Sequence, residues 1–132
     1  MRELGHRLRA QGISFGVVGL SGTVVNASLV YLLHGLLQWL LPVAVIVASE
    51  VAILNNFLWN DRWTFGRQRP SVQRFWRFNL SSLGGLAINT MVTTALTAGG
   101  LPYLVALLIG VAAATFSNFT ISTLWIWRLP QP

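Results

Sequence analysis

Residues 13–59 carry a single formally charged side chain, Glu50, in 47 consecutive positions. A water-soluble domain charges roughly a quarter of its residues, because its surface must be hydrated. Here charged residues make up 9% of a 132-residue chain and hydrophobic ones 54%. A fold of this size could not cover itself with so few charges, so lipid rather than water is the expected solvent.

A helix crossing the hydrocarbon core needs about 20 mostly apolar residues. Four stretches qualify, at approximately 13–35, 40–59, 78–98 and 101–125. Short turns, marked by Pro42 and by Gly99-Gly100-Leu101-Pro102, join the first pair and the second pair, which predicts two helical hairpins. The central connection, residues 60–77, is longer and polar. Arg2, Arg7 and Arg9 ahead of an apolar run have the look of a cleaved signal. That run continues to about Leu37 and three more follow, so a retained first helix is expected.

Arginine distribution predicts orientation. Arg2, Arg7 and Arg9 precede the first span, Arg62, Arg67, Arg69, Arg74 and Arg77 fill the central connection, and Arg128 follows the last span. The other two turns contain no Arg or Lys, so the positive-inside rule places both termini and the central connection in the cytoplasm. Trp39, Trp59, Trp63, Trp76, Trp125 and Trp127 cluster near the helix ends as interfacial anchors. The expected fold is an all-α membrane protein, a single domain over 1–132 with four transmembrane helices in two hairpins.

The two hairpins read as copies. Phe15, Leu20, Gly22 and Asn26 recur 63 positions later as Phe78, Leu83, Gly85 and Asn89. In the second helix of each half the offset is 62: Ala52, Asn56-Phe57 and Trp63 match Ala114, Asn118-Phe119 and Trp125. Two-helix units enter from one side, so the copies are expected about an axis along the membrane normal. Gly16, Gly19 and Gly22, and Gly110 with Ala114, are spaced for close helix approach. Four helices enclose little interior, which points to a homo-oligomer.

Glu50 lies mid-span, where a carboxylate is costly unless paired or protonated. It is a candidate for proton coupling or for accepting hydrogen bonds from substrate hydroxyls, against the plainer reading of an acid bonded to a neighbouring helix. The second copy has Ala112 there. Asn26 and Asn89 form a repeat-related pair, and Asn55, Asn56 and Asn118 lie nearer the cytoplasmic ends; each is interhelical glue or part of a polar track. Three Asn-x-Ser/Thr matches fall within spans or on the cytoplasmic side and are set aside as glycosylation sites. Arginines interleaved with Trp63, Phe65, Phe75 and Trp76 suit the headgroup layer. Arg62 beside Trp63 is the leading candidate to grip a phosphate, followed by Arg67, Arg69, Arg74 and Arg77.

The chain has no cysteine, and its two histidines, His6 and His34, lie far apart, so no metal or other cofactor is expected. No nucleophile–base pair, P-loop or dinucleotide fingerprint occurs. Catalysis by this chain alone and nucleic-acid binding are not expected.

Phe15, Val18-Gly19, Asn26, Asn56-Phe57 and Arg62-Trp63-Thr64-Phe65, with a weaker second set of Phe78, Gly85, Asn89, Asn118-Phe119 and Trp125-Ile126-Trp127, resemble the GtrA-like family of small polytopic membrane proteins. One departure is Leu124, which stands where the first set has Arg62. The resemblance implies a role in cell-surface polysaccharide synthesis in a prokaryotic cytoplasmic membrane. It implies flipping of a polyprenyl-phosphate-linked monosaccharide, usually beside a glycosyltransferase. It equally implies a non-transporting anchor for such an enzyme, since a similar module is fused to some polyprenyl-phosphate mannose synthases. A third reading is a small proton-coupled multidrug exporter, which also has four helices and one membrane glutamate; in that family the acid is in the first helix, whereas Glu50 is in the second.

Overall fold

The computed structural model describes residues 1–67 and 69–128, with Tyr103 through its backbone alone. Those residues form helices and connecting turns, with no strand among them. The chain divides into two compact units, Met1–Ser71 and Val72–Pro132.

In the first unit α1 spans Arg2–Val30, and α2 spans Leu41–Trp59. Each ends in a wider π-helical stretch, Tyr31–Leu36 after α1 and Asn60–Thr64 after α2. The π character shows in i→i+5 bonds: Leu37 N–H donates to Leu32 O at 2.9 Å, and Phe65 N–H to Asn60 O at 2.9 Å. The turn is closed by His34, whose Nδ1 donates to the Trp39 carbonyl at 2.8 Å. Pro42 sits within the first turn of α2, where a missing N–H costs no helical bond.

Packing follows from residue size. α2 turns Ala44, Ala48 and Ala52 inward at every fourth position, with Phe57 beyond them. α1 answers with Ser14, Phe15, Val18 and Gly22. A stripe of small side chains lets helices approach closely where lipid supplies no hydrophobic drive between them. The approach is tightest at Gly22: a Cβ there would collide with the Asn56 carboxamide, its Nδ2 only 2.6 Å away. Gly16 and Gly19, expected to pack likewise, have nothing within 4 Å of where a Cβ would stand and lie off this seam.

In the second unit α3 spans Val72–Ala98 and α4 spans Tyr103–Ile121, followed by a π-helical end at Ser122–Ile126. Trp127 N–H closes that end on Ser122 O at 2.8 Å. Gly100, at φ 103°, makes the turn in a conformation that favours glycine. α3 buries Phe78, Asn79, Ser81 and Gly85. A Cβ at Gly85 would meet Asn118 Nδ2 at 2.6 Å. Gly110 packs closely onto α3, where a Cβ would strike the side chains of Asn89 and Thr93 and the Asn89 carbonyl at 2.9 Å.

Among the described residues, three helical stretches are long and apolar enough to cross a membrane: Arg2–Leu36, Leu41–Thr64 and Leu104–Ile126. α3 has the length, at 27 residues, but Asn79, Ser81, Ser82, Asn89, Thr90, Thr93, Thr94 and Thr97 keep it from being as continuously apolar as those three. The helices run past the expected spans. The first begins at Arg2, ahead of residue 13, and at 1.5 Å per residue the Arg2–Leu36 stretch is about 50 Å long against a core of about 30 Å, so part of it extends beyond that core. The expected interfacial loop 60–77 is helical up to Thr64 and again from Val72. Of the tryptophans, Trp127 is a buried residue, 2% exposed, with its ring 5.6 Å edge-on from Phe78.

Candidate functional site

The first hairpin opens a groove of about 690 Å³ between α1 and the far end of α2. Its lining comprises Val17, Val18 and Ser21 from α1 and Trp59, Arg62 and Trp63 from α2 and its π-helical end. Most of that surface is apolar, so the Arg62 guanidinium is the dominant charge in it. The two indoles are more than half exposed, Trp59 at 55% and Trp63 at 56%.

A buried polar chain fixes this end of α2 to α1. Ser14 Oγ donates to Thr64 Oγ1 at 3.1 Å, and Thr64 Oγ1 to Asn60 Oδ1 at 2.8 Å. Asn60 and Asp61 are buried beside it. Arg67 N–H donates to Asp61 O at 2.8 Å and terminates the π turn. In a low-dielectric interior such satisfied bonds hold geometry well. Adjacent helical residues do not share a face, so Asp61 turns inward while Arg62 is presented outward to the groove.

One to two turns deeper, Asn55 Nδ2 donates to Ser21 Oγ at 3.1 Å and to Asn56 Oδ1 at 3.4 Å. Ser21 in turn donates to the Val18 carbonyl at 2.6 Å. Asn56 is the residue pressed against Gly22. Arg62, Trp63, Asn55 and Asn56 are therefore brought together at one end of the hairpin.

Other candidates lie elsewhere. Glu50 is exposed on its hairpin, 200° around the helix from both Ala48 and Ala52 at 100° per residue, and does not join the groove. Asn26 is half-buried and continues the Gly22 stripe one turn on. In the second hairpin Asn118 accepts from Ser81 Oγ at 3.4 Å, and Asn89 accepts from Thr93 Oγ1 at 3.0 Å. Arg77 is occupied: its guanidinium lies 5.1 Å above the Trp125 ring and Nη1 donates to the Trp125 carbonyl at 3.5 Å. Arg67 and Arg74 are half-buried and Arg69 is exposed, and none of the three lines the groove. Among the described residues no cluster of His, Asp or Glu could hold a metal ion.

Sequence reasoning passed over Ser21 and the Ser14–Thr64–Asn60 chain. The signal lay in the hairpin register. With the turn centred near Trp39, antiparallel partners sum to about 78, which pairs 22 with 56 and 14 with 64.

Helices of this length and apolarity, with a polar and cationic end, define a multi-pass membrane protein. The GtrA/DPMS transmembrane-domain family matches residues 14–127, almost the whole chain. The chain belongs to that family. A dolichol-phosphate mannosyltransferase of Pyrococcus furiosus is 36% identical over 119 residues. That match takes in 87% of this chain but 33% of the relative, so the chain spans about a third of that protein's length.

Proposed function

We propose that this chain binds a polyprenyl-phosphate-linked monosaccharide at the Arg62 groove and passes the sugar headgroup across the cytoplasmic membrane of a prokaryote. The observation that carries the reading is a guanidinium that shares a mostly apolar groove with two exposed indoles. Arginine's planar fork matches phosphate oxygens, and the pairing strengthens away from water. Trp59 and Trp63 suit the interfacial layer where such a headgroup sits. The prenyl chain stays in the surrounding lipid. The mannosyltransferase name of the relative supports a phosphate-linked sugar as the cargo.

In this reading all four helices span, both termini and the arginines face the cytoplasm, and the hairpins derive from one duplicated unit. The recurrence of the glycine–asparagine contact supports the duplication. Glu50, on a face away from the groove, serves the crossing step rather than initial binding. The protein performs no catalysis itself and works beside a glycosyltransferase, as an oligomer.

Flipping of a prenyl-phosphate hexose in proteoliposomes tests the assignment. Arg62→Ala should abolish both binding and flipping, and Glu50→Ala should slow flipping while leaving binding intact. Unchanged flipping in both variants would remove these residues from the mechanism. A second reading, a non-transporting anchor for a glycosyltransferase, is favoured by the relative being about three times as long as the matched region. Copurification with such an enzyme, together with no flipping by the wild type, would establish it instead.

A further inference from the structure

The groove's residues fall into two kinds when the hairpins are compared at offsets of 62 and 63. The contact that packs the helices recurs, Gly22 on Asn56 and Gly85 on Asn118. The residues that give it polarity do not: Ser21, Trp59 and Arg62, which line the groove, and Asn55, which bonds Ser21, are matched by Gly84, Ile121, Leu124 and Ser117. A hairpin of this type forms the shared joint without them, although in the first hairpin Asn55 and Ser21 also bond each other across the helices.

Arginine offers donors and no acceptor, whereas a sugar brings hydroxyl donors that need acceptors. Asn55 can supply one. Its two side-chain bonds, to Ser21 and Asn56, are both made by Nδ2, and among the described residues nothing donates to its Oδ1. A carbonyl oxygen without a donor at membrane depth is expensive, and a ligand hydroxyl would relieve that cost. Asn55 precedes Arg62 by seven residues, about 10 Å along the helix, with Trp59 between them. That spacing is comparable with the length of a phosphate-linked hexose.

Resting on the headgroup reading above, we infer that Asn55 reads a hydroxyl of the bound sugar and that Ser21 is its positioning residue. The phosphate sits at Arg62, the ring lies along Trp59, and one ring hydroxyl donates to Asn55 Oδ1. The groove thereby distinguishes a sugar-bearing prenyl phosphate from a bare one.

The test measures binding of two probes to the purified protein in nanodiscs, a prenyl phosphate and the same lipid carrying one hexose, with inorganic phosphate as competitor. Asn55→Ala should weaken the hexose probe about 5- to 25-fold, the worth of one or two hydrogen bonds, and leave the bare probe within about twofold. Ser21→Ala, which removes less and leaves α1 otherwise intact, should reproduce the selectivity loss in part. Arg62→Ala should weaken both probes, and inorganic phosphate should not displace the hexose probe. Equal effects of Asn55→Ala on both probes, or none on either, overturn the inference while the Arg62 reading survives. Displacement by inorganic phosphate overturns it too, and if the wild type binds neither probe both readings fall.

Discussion

Gly22 facing Asn56 and Gly85 facing Asn118 give the two hairpins one packing joint, yet the polar groups around that joint differ between them. The first hairpin gathers them where the chain ends are: Ser14, Asn60 and Thr64 in a buried chain, then Ser21 and Arg62 on an open groove, with Asn55 bonded to Ser21. The second buries Asn79, Ser81 and Ser122 at that end and carries more towards the turn, where Asn89 and Thr93 meet Gly110, and Thr93, Thr94 and Thr97 border a cavity of about 400 Å³. The second hairpin's counterpart of Trp63 is Trp125, and its ring is covered by the chain's own Arg77. The comparison teaches that one helical joint tolerates wide variation beside it, and that in the first hairpin a cation and an aromatic pair stay exposed on a groove.

The largest expected effect separates the two arginines. Removing the Arg62 guanidinium should weaken a prenyl-phosphate probe about 10- to 100-fold, since hydrogen bonds to charged groups contribute about 1.5–3 kcal/mol. Arg77→Ala should change the same affinity by less than about twofold, because that guanidinium is engaged with Trp125. Titration of both variants checks this, and equal losses would erase the proposed division between the hairpins.

Next come the glycines, whose ranking follows from what a methyl group would meet. Gly110→Ala drives its Cβ against the Asn89 backbone carbonyl as well as two side chains, and overpacking of that kind costs about 1–3 kcal/mol. Gly22→Ala meets the end of a movable carboxamide, so the expected loss is smaller, about 0.5–1.5 kcal/mol, for displacing Asn56 from its bond to Asn55. Gly16→Ala meets nothing and should gain stability, by up to about 1 kcal/mol from helix propensity. Unfolding titrations in detergent micelles would order the three, and a neutral Gly110→Ala would show the second hairpin to be looser than its contacts imply.

How much of this was legible beforehand depends on the physics that fixes each feature. Apolar runs of about 20 residues and short turns dictate helices and hairpins, so those were readable. Helix ends were not, because Asn60, Asp61 and Arg62 look like a polar loop until their side chains are seen satisfied: Asn60 by Thr64, and Asp61 buried where Arg62 is not. The pairing of Arg62 with Trp63 on one groove was legible from their adjacency in the sequence. The separation of Glu50 from it was not apparent from mid-span position alone, although helical angle already sets Glu50 opposite the alanine stripe. Which partner Gly16 and Gly19 meet was not legible, because spacing by three marks a face without naming what lies on it, and α2 does not. Ser21 was missed because a helical serine has no distinctive pattern until the hairpin register is known.

The smallest expected effect is the most pointed test of the comparison. If Arg62 alone made the groove, placing arginine at its counterpart should create a second site. Leu124→Arg supplies that guanidinium, yet Gly84 brings no hydroxyl where Ser21 does, and Ile121 brings no indole where Trp59 does. Arg77 already lies over Trp125, so the new cation would also face a like charge there. The variant should bind a prenyl phosphate with unchanged stoichiometry and an affinity within about twofold of the wild type, as expected for an exposed substitution that adds no partner. A second equivalent of bound probe would show instead that charge suffices, and that the serine, asparagine and indole of the first hairpin are incidental to it.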